Sequence, residues 1–390
     1  MSRLNELIQR LCPNGVEFKK LGAILDYEQP TKYIVKSTDY NDLYPTPVLT
    51  AGQTFILGHT NETTGIYVAT KDNPTIIFDD FTTSFHWVDF NFKIKSSAMK
   101  MLRPKVPDVS FRFIYYAMKC INYEPVDHSR HWISKYSQFE IPLPPLDVQN
   151  EIVRILDTFT SHAAELQAEL QARKEQYEYY RNKLLTFDKD DKNVKWMKLG
   201  EIGNICMCKR IMKSQTNSIK GIPFYKIGTF GKKADAYISP ELYNEYKNKY
   251  SFPKKGEVLM SASGTIGRTV IYDGKDAYFQ DSNIVWVQND ESVVLNKYLY
   301  YYYQIIEWNV EGGTIQRLYN TNLAKTIIAV PVLSEQQHIV SILDKFEALV
   351  NDLTAGIPAE IAAVQEQYEY YRNKLLTFKD VGTYHGASST

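Results

Sequence analysis

The chain has 390 residues and carries 45 Lys and Arg against 45 Asp and Glu, so its formal net charge at pH 7 is zero. This length accommodates two domains with separate cores, and a neutral chain that binds nucleic acid must concentrate its cations on one face. No apolar run reaches membrane-spanning length and the first residues lack a signal-peptide core, so we expect a soluble, cytoplasmic protein. The four cysteines lack zinc-site spacing, which argues against a metal centre and a disulfide scaffold.

The sequence is an internal duplication. Three stretches recur in both halves: Val16 to Gly22 as Val194 to Gly200, Pro144 to Phe159 as Pro331 to Phe346, and Glu175 to Phe187, letter for letter, as Glu366 to Phe378. Their spacings are 178, 187 and 191 residues, and between Gly22 and about Phe111 the halves show no convincing match. A repeated frame therefore carries two different inserts.

The first predicted elements are a globular domain over residues 1–145 and a long helix over 146–187, with Asp147 as a predicted N-cap. A heptad seam with one polar position runs along the helix: Ile152, Leu156, Phe159, Ala163, Leu166, Leu170, Arg173, Tyr177, Tyr180, Leu184 and Phe187. Such a helix is about 60 Å long and needs a partner, for which its own repeat is the obvious candidate. A tandem tetrapeptide, Ala164–Gln167 and Ala168–Gln171, makes its length adjustable by about 6 Å per copy.

The second domain is predicted over residues 188–332 and the second long helix over 333–378, with a capping box at Ser334 to Gln337. The second seam is Ile339, Leu343, Phe346, Val350, Leu353, Ile357, Ile361, Val364, Tyr368, Tyr371, Leu375 and Phe378. Between Ile357 and Ile361 the seam residues are four positions apart where three would be expected. Gly356 and Pro358 loosen the helix at this point. The tyrosines between 298 and 303 favour core packing over base stacking, and we expect a disordered tail over 379–390.

Together these features resemble the specificity subunit of a Type I restriction-modification system. The resemblance covers nearly the whole sequence and is carried by the two tyrosine blocks, both helix starts, Gly264 to Tyr272 and Phe279 to Val285. It implies an α/β (α+β) fold in which two target-recognition domains are separated by two long antiparallel helices, with a pseudo-two-fold internal repeat. The tyrosine blocks would then pack the helices and bind partners through Tyr177, Tyr180, Arg181, Leu184, Tyr368, Tyr371, Arg372 and Leu375.

The resemblance also implies a function. The chain would read a split, asymmetric target in double-stranded DNA, one half-site per domain, with a gap set by the helices. It would dock two modification subunits and, through the complex, restriction subunits. Methylation, ATP hydrolysis and cleavage would belong to those partners, so S-adenosylmethionine, ATP and magnesium would be bound there and not by this chain.

In the first domain, the residue types suited to DNA contact are Thr82, Thr83, Ser84, Lys93, Ser129, Arg130 and His131. When the two halves are aligned with an offset of 187 residues, Arg130 aligns with Arg317. Arginine can clamp guanine or hold a phosphate, although a surface ion pair is equally simple. His131 fits packing or a phosphate contact, and the adjacent Asp79 and Asp80 are more typical of a turn than of a cytosine contact.

In the second domain, the candidates are Lys232, Lys233, Ser261, Ser263, Thr265, Arg268, Gln280, Asn283, Thr314, Gln316, Arg317 and Asn320. The stretch from Ser261 to Arg268 fits a structural turn as well as a DNA contact, and it lacks the ending of a P-loop. The lysines suit phosphates or a solvated face.

No catalytic signature is present. The chain lacks the Asn/Asp-Pro-Pro-Tyr motif of base methyltransferases, a P-loop and a recognisable nuclease or nucleophile pattern. We therefore expect a non-catalytic subunit. The rival interpretations are a coiled-coil scaffold that binds protein without reading DNA, and a stand-alone restriction enzyme.

Overall fold

The structure is a computed structural model that describes residues 3–52, 54–127, 129–312 and 316–381. It mixes helices and strands and divides into two compact units, residues 1–165 with 361–390 and residues 166–360. Each unit thus contains one inserted domain, the start of one predicted long helix and the end of the other. The elements up to residue 185 are α1 (Arg3–Leu11), β1 (Phe18–Lys20), α2 (Leu21–Ile24), β2 (Leu25–Glu28), β3 (Thr46–Leu49), β4 (Ile56–Thr60), β5 (Thr75–Asp79), β6 (Phe85–Val88), β7 (Lys93–Ile94), β8 (Met99–Pro104), α3 (Phe111–Met118), α4 (His131–Ser134), β9 (Glu140–Pro142) and α5 (Leu146–Leu185).

The remaining elements repeat much of that order. They are β10 (Val194–Lys198), α6 (Leu199–Ile202), β11 (Asn204–Met207), β12 (Ile222–Tyr225), β13 (Tyr237–Ile238), α7 (Pro240–Lys249), β14 (Val258–Ser261), β15 (Thr269–Ile271), β16 (Tyr278–Phe279), β17 (Ile284–Gln288), α8 (Asn296–Tyr302), α9 (Asn320–Lys325), β18 (Ile327–Pro331), α10 (Leu333–Asn351) and α11 (Ile357–Leu375).

The two inserted domains have the same sheet plan. In the first unit the sheets have the orders β2-β8-β5-β6, β4-β3-β7 and β1-β9, and in the second β11-β17-β14-β15, β13-β12-β16 and β10-β18. The central strands β5 and β14 are short apolar runs buried on both faces, which is typical of strands enclosed by other layers. Because the inserts show no convincing sequence match, the shared plan is visible only in the fold.

Matching hydrogen bonds show the repeated frame at atomic detail. Gln149 accepts the Ser110 N–H (2.9 Å) and donates to the Pro144 carbonyl (2.7 Å). Gln336 does the same with the Leu295 N–H (2.9 Å) and the Pro331 carbonyl (2.8 Å). Each glutamine is almost fully buried, so it satisfies backbone groups that would otherwise lack partners.

A second matching contact joins each domain to its helix. The hydroxyl of Tyr116 on α3 donates to Asp157 on α5, and that of Tyr301 on α8 donates to Asp344 on α10. A cation lies beside each pair: Arg112 Nε is 2.9 Å from Asp157, and Lys297 Nζ is 3.2 Å from Asp344. These partly buried, charge-assisted contacts fix α3 against α5 and α8 against α10.

The helix seam is confirmed. Every predicted seam position of α5 is buried or half-buried except Tyr180, which is 36% exposed. Within the first unit, the rings of Phe159 and Tyr371 stack with centroids 5.4 Å apart, and within the second unit those of Tyr180 and Phe346 stack at 5.6 Å. Each unit therefore packs the start of one predicted long helix against the end of the other.

The second long helix differs from the prediction because it is interrupted. α10 ends at Asn351 and α11 begins at Ile357, and the predicted seam residue Leu353 is 80% exposed in the gap. The Asp352 carboxylate accepts the N–H groups of Thr354 (2.7 Å) and Ala355 (3.2 Å), which closes a turn in place of the helical hydrogen bonds. Pro358 lacks an N–H, so it fits the first turn of α11 better than the interior of a continuous helix.

Two predicted helix caps are also corrected. α10 begins at Leu333 with Val332 as its N-cap, so Ser334 lies inside the first turn and forms no capping box. Asp147 likewise lies within the first turn of α5, which begins at Leu146. The buried glutamines satisfy backbone groups at these helix starts.

The tyrosine cluster packs in the core, as predicted. Tyr298, Tyr301, Tyr302 and Tyr303 are all buried. The hydroxyl of Tyr298 donates to the Ala329 carbonyl at 2.9 Å, and that of Tyr302 accepts the Ala329 N–H at 3.0 Å. These rings are therefore unavailable for stacking on bases.

Candidate nucleic-acid interface

The two aligned arginines occupy equivalent backbone positions at the same end of each four-stranded sheet. In the first unit the Asp80 N–H donates to the Ala98 carbonyl (2.9 Å), and the His131 N–H donates to the Asp80 carbonyl (2.8 Å). In the second unit the Ala262 N–H donates to the Asn283 carbonyl (2.8 Å), and the Leu318 N–H donates to the Ala262 carbonyl (2.8 Å). Arg130 and Arg317 immediately precede His131 and Leu318, so the frame presents one arginine per unit at the same place.

In the first unit this place lies beside the turn that joins β5 to β6. The Asp79 carboxylate accepts the N–H groups of Phe81 (2.8 Å) and Thr82 (2.9 Å), and Thr83 adopts a positive φ of 57°. The turn exposes Thr82 and leaves Ser84 half-buried. Asp79 thus organises the turn, as its sequence context indicated.

The buried carboxylate of Asp80 ties the Arg130 segment to that turn. Asp80 lies 3.1 Å from Lys100 Nζ, and both side chains are 2% exposed. The same carboxylate accepts the Trp132 N–H at 2.8 Å. Arg130 itself is exposed, and its side chain forms no hydrogen bond or ion pair within the described part of the chain.

In the second unit the equivalent arginine is held by neutral groups. Arg317 Nη2 donates to Ser282 Oγ (2.9 Å) and to Asn283 Oδ1 (3.0 Å), and Ser263 Oγ donates to the same Asn283 oxygen (2.8 Å). Arg317 is half-buried, and among residues 3–52, 54–127, 129–312 and 316–381 no carboxylate forms an ion pair with it. The predicted alternative of a surface salt bridge is therefore not found there.

Arg317 opens onto a surface cavity of about 570 Å³. Its lining is Met207, Ser282, Glu311, Arg317, Leu318, Tyr319, Asn320 and Thr321. Glu311 shares this lining but accepts from Asn322 Nδ2 at 2.7 Å and forms no ion pair with Arg317 in the described ranges. A guanidinium that lines a cavity without an ion pair is suited to a phosphate or to guanine O6 and N7. The predicted residue Asn320 belongs to this site, and Gln316 is exposed beside it.

The loop from Ser261 to Arg268 is a tight structural turn. Ser261 Oγ accepts the Arg268 N–H at 3.0 Å, and Gly267 adopts a φ of 84°. A side chain at Gly267 would meet Trp308 Nε1 at 2.5 Å, so the close packing itself requires glycine. Only Thr265 and Gly264 are exposed at its tip.

Two further candidates orient the loop that precedes the predicted lysines. Arg268 Nη1 donates to the Phe230 carbonyl (3.1 Å), and Gln280 Oε1 accepts the Ile227 N–H (2.9 Å). Lys232 and Lys233 follow this loop and are exposed. Arg268 and Gln280 thus have positioning contacts already, whereas the two lysines present their charge to solvent.

Five of the candidate side chains are buried. Lys93 is 2% exposed because Glu62 lies 3.0 Å from its Nζ, and the Thr64 and Gly65 carbonyls accept from it. His131 is fully buried, with its ring nitrogens engaged by Tyr123 (2.9 Å) and the Asp127 carbonyl (3.2 Å). The others are Thr83, Ser261 and Ser263, at 7%, 1% and 9% exposure.

Two more points complete the placement of the candidates. Ser129 is exposed next to Arg130, and Thr314 lies outside the described residues. The site also includes Ser282, at a positive φ of 51°, and Tyr319, at 48% exposure. The sequence did not single these two out, and the only available signal was that each adjoins a candidate.

The residues predicted for helix packing or partner binding lie mainly on packed faces. Tyr177 is 7% exposed and donates to Gln304 (3.3 Å), which also accepts from Arg181 Nη1 (3.1 Å). Tyr371 and Tyr180 stack as described above, and the other four are half-buried: Leu184, Tyr368, Arg372 and Leu375.

Searches for two other kinds of site gave no candidate. Within the described ranges, no group of three or more His, Cys, Asp or Glu side chains is placed to hold a metal ion. No helix among those same residues is long and apolar enough to cross a membrane.

Comparison with known proteins identifies the fold and family. Residues 13–176 and 191–363 each match the family described as the Type I restriction modification DNA specificity domain. A Haemophilus influenzae protein named as a type I restriction enzyme specificity subunit is 48% identical over 343 residues, which cover 84% of this chain and 86% of that protein. The EcoR124I/EcoR124II specificity subunit of Escherichia coli is 40% identical over 403 residues, covering 97% of this chain and 98% of its own.

Solved structures show the same fold. The S subunit of a type I restriction-modification system from M. genitalium superposes with a TM-score of 0.56 at 13% identity, covering 93% of this chain and 97% of its own. A chain from a structure of the type I R-M system gives 0.55 at 18% identity, covering 93% and 98%. Since two family matches span most of the sequence and the relatives match it nearly end to end, the chain belongs to the specificity subunits of Type I restriction-modification systems.

Proposed function

We propose that this chain reads a bipartite, asymmetric target in double-stranded DNA, one half-site per inserted domain, and is itself non-catalytic. The observation that carries the proposal is the equivalent backbone placement of Arg130 and Arg317 in two differently built surroundings. Equivalent placement gives both domains the same approach to DNA. Different neighbours give each domain a different half-site.

The two surroundings favour different chemistry. Near Arg130 the exposed groups are the Thr82 and Ser129 hydroxyls, whereas near Arg317 they are Gln316, Tyr319 and Asn320. Amide side chains pair with adenine N6 and N7, and hydroxyls contact phosphates or several base edges. The target is therefore asymmetric.

The long helices set the gap between the half-sites in this proposal. α5 has 40 residues, so it is about 60 Å long. This exceeds one turn of B-DNA, about 34 Å, and allows two readers to face one side of the duplex. The domains assigned to reading are residues 1–145 and 188–332, with 146–187 and 333–378 as the spacer segments.

Catalysis belongs to partner subunits. The chain docks two modification subunits, which bind S-adenosylmethionine and methylate the DNA, and it meets restriction subunits, which use ATP and magnesium, through the complex. Its place is the cytoplasm, where the host DNA lies. Family membership supports this division of labour, as do the missing catalytic motifs.

The test is to co-express the chain with the modification subunit from its own genomic neighbourhood and to map methylated bases across the host DNA by single-molecule sequencing. We expect one split motif with a fixed gap. Deleting Ala168 to Gln171 removes one helical turn of about 6 Å. Because base pairs are spaced by about 3.4 Å, the gap should shorten by about one to two base pairs. The half-site sequences should not change.

A matched control replaces the exposed residues Glu169 and Gln171 with alanine, which keeps helix length and should keep the gap. Absence of methylation from a folded complex loaded with S-adenosylmethionine would contradict DNA reading and favour a protein-binding scaffold. Cleavage by the chain with magnesium and no partner would favour a stand-alone enzyme.

A further inference from the structure

The segment before each aligned arginine carries a second shared residue, a glutamate. With the offset of 187 residues, Glu124 aligns with Glu311, and each lies six positions before its arginine. Both glutamates are exposed. Of the twelve positions from 121 to 132, three have the same residue type in the second half: Asn122, Glu124 and Arg130. The buried His131 aligns with Leu318, so packing does not account for the shared acid.

In the second unit the backbone places Glu311 and Arg317 directly opposite each other. The Glu311 N–H donates to the Arg317 carbonyl at 3.0 Å, and the Arg317 N–H donates to the Glu311 carbonyl at 2.8 Å. The two residues are a hydrogen-bonded antiparallel pair, and the side chains of such a pair lie on the same side of the ladder. Both side chains line the cavity of about 570 Å³. Opposite charges in this position ordinarily attract each other across the ladder.

Each of the two charges is instead held by neutral groups, and no ion pair joins them in the described ranges. Glu311 Oε1 accepts from Asn322 Nδ2 at 2.7 Å, and its Oε2 has no partner among the described residues. Arg317 Nη2 donates to Ser282 and Asn283, whereas its Nε and Nη1 form no hydrogen bond there. The carboxylate and the guanidinium are thus both restrained, and both keep hydrogen-bonding capacity for a ligand.

A cavity that presents an acceptor-only carboxylate and a donor-only guanidinium selects among the groups of DNA. A phosphate does not suit the pair, because its charge repels the carboxylate. In the major groove, a G·C base pair presents guanine O6 and N7, which accept, beside the cytosine N4 amino group, which donates. Arginine on guanine and glutamate on cytosine are the pairings that this pattern favours.

We infer that Glu311 and Arg317 together read one G·C base pair. Arg317 donates to guanine O6 and N7, and Glu311 accepts from the cytosine amino group. The inference rests on the proposed function, and it identifies a base pair of the second half-site and a further residue that reads it. The carboxylate lowers the general affinity for DNA, since it faces a polyanion. It adds discrimination, because a base that presents an acceptor to Glu311 is repelled.

The first unit has the same two residue types without the same restraints. Glu124 and Arg130 are both exposed, and neither side chain forms a hydrogen bond or an ion pair within the described part of the chain. Their neighbours Tyr123 and His131 are joined by a side-chain hydrogen bond of 2.9 Å. Glu124 therefore offers a matched control, with the same residue type at the aligned position but no fixed geometry.

The experiment co-expresses the full chain with the modification subunit, maps the methylated motif by single-molecule sequencing and measures methylation rates on duplexes with single-base changes. In the wild type, the half-site that Arg317→Ala alters should contain a specified G·C pair. Glu311→Gln keeps an acceptor for Asn322 and removes the charge, so preference for the cytosine of that pair should fall by about tenfold. Because an amide pairs with adenine, the variant should accept adenine in place of that cytosine.

Two further variants complete the design. Arg317→Ala should relax the same base pair as Glu311→Gln, because the two residues contact one pair. Glu124→Gln removes the same charge from the first unit and should leave the second half-site unchanged. Should Glu311→Gln abolish all methylation, Glu311→Asp keeps the charge on a shorter side chain and should weaken discrimination at the same base pair.

The outcomes separate the inference from the proposed function. A wild-type complex that methylates no split motif would contradict the proposed function itself. With a split motif present, a second half-site without a specified G·C pair would overturn the inference alone. So would a Glu311 variant whose preferences match the wild type, whatever its overall rates, or relaxation of different base pairs by Glu311→Gln and Arg317→Ala.

Discussion

At the scale of single residues, the two aligned arginines differ in how firmly they are held. Arg317 is restrained by Ser282 and Asn283, whereas Arg130 is exposed and lacks side-chain partners in the described ranges. A restrained guanidinium loses little further freedom on forming two hydrogen bonds with a base. An unrestrained one is better suited to a phosphate, whose geometry is less demanding.

Arg317→Ala should therefore relax the sequence preference at the second half-site. We expect discrimination against wrong bases there to fall by about 1–3 kcal/mol, with the first half-site unaffected.

Arg130→Ala should instead weaken binding at the first half-site almost equally for all sequences and reduce the salt slope by about one. Methylation rates on targets with single-base changes in each half-site measure both effects, and each variant is the control for the other. A loss spread evenly over both half-sites in Arg317→Ala would contradict a base-reading role.

The sequence predicted the equivalence of these arginines but not which neighbours are accessible. Arg130 and Arg317 align because both precede a strand of the repeated frame, which is a local relation along the chain. Lys93 is buried against Glu62, and His131 follows its packing alternative through a contact with Tyr123; sequence spacing indicates neither contact. Residue type indicates which chemistry is possible, whereas burial decides whether a ligand can reach it.

At the scale of elements, Asp80 joins the β5–β6 turn both to β8, through its ion pair with Lys100, and to α4, through the Trp132 N–H. Asp80 also accepts the Trp132 N–H, so one carboxylate fixes both the turn and the segment that carries Arg130. The second unit has Ala262 at the equivalent backbone position and holds its arginine through side-chain contacts instead. The same frame thus uses two different means to position its arginine.

Asp80→Asn should loosen this junction. Asparagine keeps an acceptor for the Trp132 N–H but leaves Lys100 buried without an opposite charge, at a cost of about 3–5 kcal/mol. Hydrogen exchange should become at least about 100-fold faster in residues 129–138, while β14 and β17 keep their protection. Asp80→Asn with Lys100→Met removes the unpaired charge and should recover part of that protection. The control Asp79→Asn affects only turn hydrogen bonds, and a loss as large as that of Asp80→Asn would show that the ion pair is not the cause.

Element boundaries followed the sequence where apolar periodicity was regular. The seam of α5 is confirmed over its whole length because no residue within it opposes a helix. The second segment contains Asp352, Gly356 and Pro358 within seven positions, and their combined effect is a break rather than a local irregularity. The step of four in its seam was the visible sign of that break. The sheet plan of the inserts had no comparable signal, because strands that pair are far apart in the sequence.

At the scale of the whole molecule, the charge balance limits what the chain can do alone. Lys and Arg equal Asp and Glu at 45 each, so phosphate binding depends on a few local cations and not on a general positive field. The exposed or half-buried candidates that carry positive charge without an ion pair in the described ranges are Arg130, Lys232, Lys233, Arg268 and Arg317. In the proposed complex, modification subunits that also contact the DNA would supply the remaining neutralisation.

The salt dependence of DNA binding measures this division between chain and partners. If all five cations contact phosphates, log K against log salt concentration should have a slope of about −4.5 for the chain alone, since each contact contributes about −0.9. The complex with modification subunits should give a steeper slope and tighter binding at every salt concentration. Lys232→Ala with Lys233→Ala should reduce the slope by about 1.8 in both, while Lys345→Ala, on an exposed part of α10, should change neither. Fluorescence anisotropy with a labelled duplex that contains the methylated motif gives these slopes. A slope for the isolated chain as steep as that of the complex would mean that the chain carries an extended phosphate-binding surface of its own, contrary to its charge balance.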